Sequence, residues 1–163
     1  MLATIPFVNN EFEEFMIKEE KKFRIIEQRT KESEKGLLKS KKAQKAVDSF
    51  IQEIIEQNSD YLPDIITETL TQGWSRVMFL AYLKDDQEHQ WIKTCQAAQD
   101  LVWCLKPITS QKDRQHWISI APKLLKELKC GLQDVSYHTN NLDSTIIEIR
   151  SILTSTFKQN MFN

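Results

Sequence analysis

The sequence predicts an all-α fold, a helical bundle of about five to six helices led by a long N-terminal helix or a helical hairpin. Three observations predict it. Only 3 Gly and 4 Pro occur in 163 residues, and the turn dipeptides that join β-strands are absent. Apolar residues recur at spacings of three and four along most of the chain. A central stretch from Thr67 to Pro107 concentrates apolar and aromatic side chains, including Trp74, Trp91 and Trp103. With 40% hydrophobic residues the chain can bury one core, and its length argues against a second full domain. The expected divisions are residues 1–58 for the long helix or hairpin, 59–157 for the bundle core, and 158–163 for a frayed tail.

Asn9 and Asn10 can cap the first helix, whose opening turn would carry Glu11, Glu13 and Glu14 at the positive end of its dipole. Phe12, Phe15, Met16, Phe23 and Ile26 then trace an apolar stripe with a gap at Glu19. From Gln28 to Ser49 charge and helix-forming residues replace apolar ones, so the helix either runs on as a solvated arm or turns back at Gly36. Val47, Phe50, Ile51, Ile54 and Ile55 restore an apolar face before Asn58.

Asp60 and Pro63 mark the start of a second helix from about Leu62 to Lys84. Gly73 inside it predicts a close helix contact beside Trp74, because a mid-helix glycine otherwise costs about 1 kcal/mol against Ala. Around Val77 to Leu83 apolar residues point in nearly every helical direction, which predicts the enclosed centre of the bundle. Asp85 and Asp86 would begin the next turn. Trp91, Cys95, Ala98, Val102 and Leu105 form the inward stripe of the following helix, ended by Pro107. Thr109 or Ser110 can cap a short piece bearing Trp117, Ile118 and Ile120, after which Pro122 is expected to start a fresh helix buried through Leu124, Leu125, Leu128, Leu132 and Val135. Asn140 and Asn141 cap a last helix with Leu142, Ile146, Ile149, Leu153 and Phe157 on one face.

Four blocks occur in a fixed order: E-Q-R-T-K-E-S-E-K-G-L-L from Glu27, Leu62-Pro63 ahead of Gly73-Trp74, D-L-V-W-C-L-K-P from Asp100, and A-P-K-L-L-K-E-L-K-C-G-L from Ala121. In these the chain resembles a bacterial domain-of-unknown-function family, the one numbered sixteen thirty-one, from about Asn10 to Phe157. The family pattern tends to place Ser where this chain has Cys104. The resemblance implies longer relatives, several with a C-terminal PilZ-like module and a role in cyclic-di-GMP signalling. That module's Asp-x-Ser-x-x-Gly segment is absent here, and Arg24 and Arg29 lie on a predicted helix. Some relatives are labelled thymidine phosphorylase, yet Gly36, Gly73 and Gly131 are too far apart for a phosphate-cradling loop. The family offers no established catalytic residues to carry over.

Charge excludes a global pull toward nucleic acid or anionic lipid, since 22 Lys and Arg balance 23 Asp and Glu. Cys95, Cys104 and Cys130 are odd in number, widely spaced and set among apolar helical positions, which predicts reduced core thiols in a reducing compartment, the cytoplasm. No signal-length or membrane-spanning apolar run is present. His89, His116 and His138 stand apart from one another and from the cysteines, so neither a metal site nor a Cys–His nucleophile is read here. Paired carboxylates at Glu13–Glu14 and Asp85–Asp86 are explained by helix dipoles.

The expected function is a non-enzymatic helical interaction or scaffold module, in bacterial signalling, with no cofactor. Its contact surface for a protein partner or a second copy is expected on the arm from about Gln28 to Ile55, at Phe50, Ile51 and Ile54. An alternative is weak contact with nucleic-acid phosphates or an anionic surface through Lys35, Lys39 and Lys42, spaced four and three apart; base readout is a poor fit without Arg forks or aromatics. A further alternative is an enzyme or ligand binder with a pocket between the Trp-bearing helices.

Overall fold

Helix formers without a breaker between Pro6 and Asn58 produce one uninterrupted helix, α1 (Thr4–Gln57), in the computed structural model, which describes residues 4–84 and 89–162. Side chains are described from 11 to 84 and from 89 to 159. Asp85 and Asp86, read as the start of a turn, lie outside the described residues. Asn9 and Asn10 are not caps: the backbone is already helical at Thr4, and Pro6 falls in the first described turn, where its missing N–H leaves no bond unmade. Gly36 sits inside α1 with no atom within 4 Å of where a Cβ would lie, so the hairpin alternative gives way to the continuous helix.

Internal contacts divide the chain into Met1–Lys42 and Ala43–Asn163. In the first unit every described side chain except that of Ser40 is exposed. In the second, Ala43, Val47, Ile51 and Ile54 of α1 are buried, which is why the division falls ahead of the helix's own end. Asn58, itself buried, closes that end by donating from Nδ2 to the Ile54 carbonyl at 2.8 Å.

After a single 3₁₀ turn at Ser59–Tyr61, Pro63 accepts from Ile66 and Thr67 N–H groups and opens α2 (Asp64–Glu68). The helix then widens to π geometry over Thr69–Trp74 and resumes as α3 (Ser75–Lys84). The widened segment reads T-L-T-Q-G-W, poor in strong helix formers, and hydroxyls take up the displaced carbonyls: Thr71 Oγ1 donates to Thr67 O at 2.9 Å and Ser75 Oγ to Thr71 O at 2.7 Å. The remaining helices are α4 (His89–Leu105), α5 (Gln111–Asp134) and α6 (Leu142–Phe162), with no strand among the described residues.

The centre of the bundle is α4, not α3 as its all-round apolar character predicted. α4 packs against α3, α5 and α6 and buries Thr94, Ala97, Ala98, Leu101, Val102, Cys104 and Leu105; α3 buries only Met78 and Ala81 and leaves Leu80 exposed. Small residues decide this, because Ala97 and Ala98 let neighbours approach α4 from two directions. Truncating a side chain as enclosed as Leu101 removes roughly 2–5 kcal/mol.

α5 runs unbroken through Pro122, contrary to the expected fresh start. Pro122 and Ile118, whose carbonyl loses its partner, both lie on the exposed side, where water replaces the bond, while Ala121, Leu124, Leu125, Leu128 and Leu132 stay buried. Ser110 caps this helix, its Oγ accepting from Asp113 N–H at 3.1 Å. α5 ends in a Schellman arrangement: Tyr137 N–H donates to Leu132 O at 3.0 Å and Ser136 N–H to Gln133 O at 3.1 Å. Ser136 occupies the left-handed position usual for glycine, with φ 56°. The residues 158–162 continue α6 rather than fraying.

Trp74 is the main cross-connection. Its indole N–H donates to the Thr94 carbonyl of α4 at 2.9 Å, and its ring lies where a Cβ on Gly131 would come within 2.7 Å of Cζ3. The close contact predicted at Gly73 is present, a Cβ there meeting Leu132 Cδ2 at 2.7 Å and the Tyr137 ring at 3.0 Å. Gly131→Ala is therefore expected to destabilise by about 1–2 kcal/mol, overpacking outweighing the gain in helix propensity. Gly36→Ala, with open space around it, should raise helicity instead. Ser136→Gly should stabilise by about 1 kcal/mol by relieving the left-handed backbone. Urea unfolding for the first and third, and circular dichroism for the second, check these signs.

Candidate functional site

The first unit's helix presents large apolar side chains to solvent. At the 100° per residue of an α-helix, Phe12, Phe15, Met16, Phe23, Ile26 and Leu37 fall within one broad face. All are exposed, Phe12 by 63% and Phe23 by 68%, while Ile17, Ile25 and Leu38 are exposed elsewhere around the helix. Scattered exposed leucines are normal on a protein surface, but several large apolar side chains along one helix face are a mark of an interaction site. Local pairs support the helix: Lys31–Glu27 at 3.5 Å, Lys22–Glu19 at 3.8 Å and Thr30 Oγ1 donating to Ile26 O at 2.9 Å. Exposed pairs of this kind contribute at most about 0.5 kcal/mol each, so they leave the apolar face's need for a cover unchanged.

Lys35, Lys39 and Lys42 are exposed on the side of the same helix away from that row, and none forms an ion pair with another described residue. They make a basic stripe without an aromatic or an Arg fork on its face. Phe50, Ile51 and Ile54, expected as partner contacts, sit elsewhere. Ile51 and Ile54 are in the hydrophobic core of the second unit, and Phe50 is half-buried with its ring edge-on to Trp91 at 6.3 Å. These three side chains are spent on the chain's own packing.

The tryptophans pack as well. Trp91 meets the Tyr82 ring at 5.3 Å, Trp103 meets the His116 ring at 4.9 Å, and Trp117 stacks on Phe157 at 4.2 Å while donating to Cys104 O at 3.1 Å. Grooves lie elsewhere in the second unit. One of about 520 Å³ runs beside Ile51, Gln52, Ile55, Thr71 and Ser75, and one of about 360 Å³ is lined by Glu68, Tyr137, His138, Asn141 and Thr145. In the latter Tyr137 stacks on His138 at 3.9 Å, and His138 Nδ1 lies 3.3 Å from Thr145 Oγ1. Burial raises the Tyr137 phenol above its ordinary range, reinforced by Glu68 and opposed by Thr69 and Arg76.

Burial also pushes the Cys95 thiol up to about 11 and, together with the negative charge of Asp100, the Cys104 thiol up to about 12. Neither forms appreciable thiolate near neutrality, which makes both poor nucleophiles and metal ligands. Cys130 departs from the expected buried position: it is exposed, because it falls on the outer side of α5 between the inward Leu128 and Leu132. Among the described residues no group of three His, Cys, Asp or Glu converges on a metal position, and no helix is long and apolar enough to cross a membrane.

Compared with known families, residues 33–150 match the one described as "Protein of unknown function (DUF1631) third domain". The chain belongs to the DUF1631 family. No curated protein and no solved structure matches it. The match is narrower than the resemblance read from the sequence and starts inside its first block, so most of the exposed apolar row precedes the DUF1631 segment, with Leu37 falling within it. The stripe read from the sequence, Phe12 to Ile26, lies ahead of the arm expected to make the contact, from about Gln28 to Ile55; a seven-residue period, which separates a helix–helix seam from an ordinary core face, is the signal in the sequence that distinguishes it. For the DUF1631 domain's thiols the expected outcome is that iodoacetamide at neutral pH modifies Cys130 in the native chain and reaches Cys95 and Cys104 only after unfolding, as read by peptide mass spectrometry.

Proposed function

We propose that this chain is a non-enzymatic helical protein-interaction or scaffold module whose contact surface is the apolar row between Phe12 and Leu37. The observation that carries the proposal is that this row is exposed along a helix whose own unit buries none of its described side chains. Covering a Phe or Ile side chain is worth about 1.5–3 kcal/mol, so a partner surface there gains several such increments. Supporting it, the thiols of Cys95 and Cys104 are held protonated by burial, and the indoles that could line a pocket are committed to packing. Three free cysteines fit work in a reducing compartment such as the cytoplasm. The description of the matched segment as a third domain fits a scaffold that acts beside other domains, as a larger bacterial signalling protein would require.

The test places a photoreactive benzoylphenylalanine at Phe23 and, separately, at Ile147, an exposed residue of α6. In cells that carry the protein, crosslinks are expected from position 23 and not from 147. Equal crosslinking at both, or none at 23, removes this surface from consideration. Phe12→Glu with Phe23→Glu should abolish the crosslinks formed from a benzoylphenylalanine at Ile26, while the chain's unfolding free energy moves by less than about 0.5 kcal/mol, because both side chains are already solvated.

A further inference from the structure

Resting on the interaction reading above, we propose that residues 12–37 pair with the same residues of a second copy as a parallel, in-register, two-stranded coiled coil. The spacing of the exposed row fits a heptad register across this span. Met16, Phe23, Thr30 and Leu37 occupy one seam column and Phe12, Glu19, Ile26 and Ser33 the other, alternating by three and four residues. All eight side chains are exposed in the chain on its own.

Charge on the two flanks selects the orientation. The column following each Phe12-type position is Glu13, Glu20, Glu27 and Glu34, glutamate in every heptad. The column preceding each Met16-type position is Phe15, Lys22, Arg29 and Gly36. In a parallel pair each preceding-column residue faces the following-column residue five positions on in the other helix. Lys22 then meets Glu27 of the second copy and Arg29 meets Glu34 of the second copy, and both pairs recur by symmetry. In an antiparallel pair the glutamate columns would face each other, and so would Lys22 and Arg29, with like charges opposed throughout.

The same pattern argues against a lipid surface as the cover. Glu19 lies in the middle of the apolar row, and Glu20, Glu27 and Glu34 run along its edge, where a bilayer would strip them of water. In a coiled coil the flanking glutamates stay at the solvated rim, and Glu27 and Glu34 gain basic partners. Glu19, Thr30 and Ser33 in the seam make this a weak, concentration-dependent dimer in which polar positions hold the register.

The experiment is sedimentation equilibrium on the full chain. A monomer–dimer equilibrium is expected, tightened roughly tenfold or more by Glu19→Leu. Reversing one column, Glu27→Lys with Glu34→Lys, or the other, Lys22→Glu with Arg29→Glu, should weaken it roughly hundredfold, and mixing the two variants should restore a heterodimer. In a Cys130→Ser background, Thr30→Cys should form an interchain disulfide, which an antiparallel pair would not allow. These side chains are exposed, and circular dichroism on each variant separates lost pairing from lost helix. A monomer at every concentration, a dimer indifferent to charge reversal, or a monomer in solution that binds only anionic vesicles each overturns the proposal. A chain that stays monomeric yet still crosslinks a different protein from position 23 overturns the coiled coil alone; loss of that crosslink as well overturns the interaction reading beneath it.

Discussion

The architecture of the second unit depends on one steric arrangement, the approach of the Trp74 ring to the backbone of Gly131. An indole is the largest side chain the bundle has to place, and its N–H must find an acceptor once it is buried. The Thr94 carbonyl supplies the acceptor from α4, and Gly131 supplies the space on α5. One residue thus links three helices, and Gly73 on the other side of the crossing admits Leu132 and Tyr137. Two of the chain's 3 glycines are used at this crossing. Glycine here is selected by volume rather than by backbone freedom, since neither has positive φ.

Much of this was legible in the sequence where a feature was local and one-sided. The inward stripe of α4, the Ser110 cap, the face of α6 and the close approach at Gly73 follow from periodicity, a hydroxyl before a helix, and a glycine where helix formers are otherwise dense. The misreadings share a physical cause, the weighing of a local penalty against tertiary gain. Pro122 costs one hydrogen bond, which the leucines on the other side of α5 outweigh. Gly36 costs helix propensity that its Lys- and Glu-rich surroundings make up. The apolar run of α3 implies burial all round, but which helix takes the centre depends on the volumes of side chains far away in sequence, at Ala97 and Ala98.

The candidate surface posed a different problem. Phe50, Ile51 and Ile54 and the row from Phe12 to Leu37 look alike as strings, apolar positions on a charged helix. What separates them is which of them a core takes up, and a sequence does not carry that information. The structure answers it: the later cluster belongs to a core and the earlier row does not. The division also separates two kinds of energetics. Buried polar residues in the second unit are Asn58, Thr69, Thr94 and Thr145, all uncharged, whereas the first unit sets its charged residues on exposed positions beside an apolar row.

The widened turn at Thr69–Trp74 is what a single inserted residue does to an α-helix when the flanking turns are too well packed to rotate. An α-helix advances 100° per residue, so deleting one residue between Thr69 and Gly73 would leave a regular helix but swing Met78 and Ala81 by that angle away from α4. The indole could not then face the Thr94 carbonyl and Gly131 together with those two residues facing the core. Length variation is therefore expected to be harder to accommodate in this short polar segment than in the connections on either side of it, although neither its composition nor its exposed Thr71 and Gln72 would mark it as constrained.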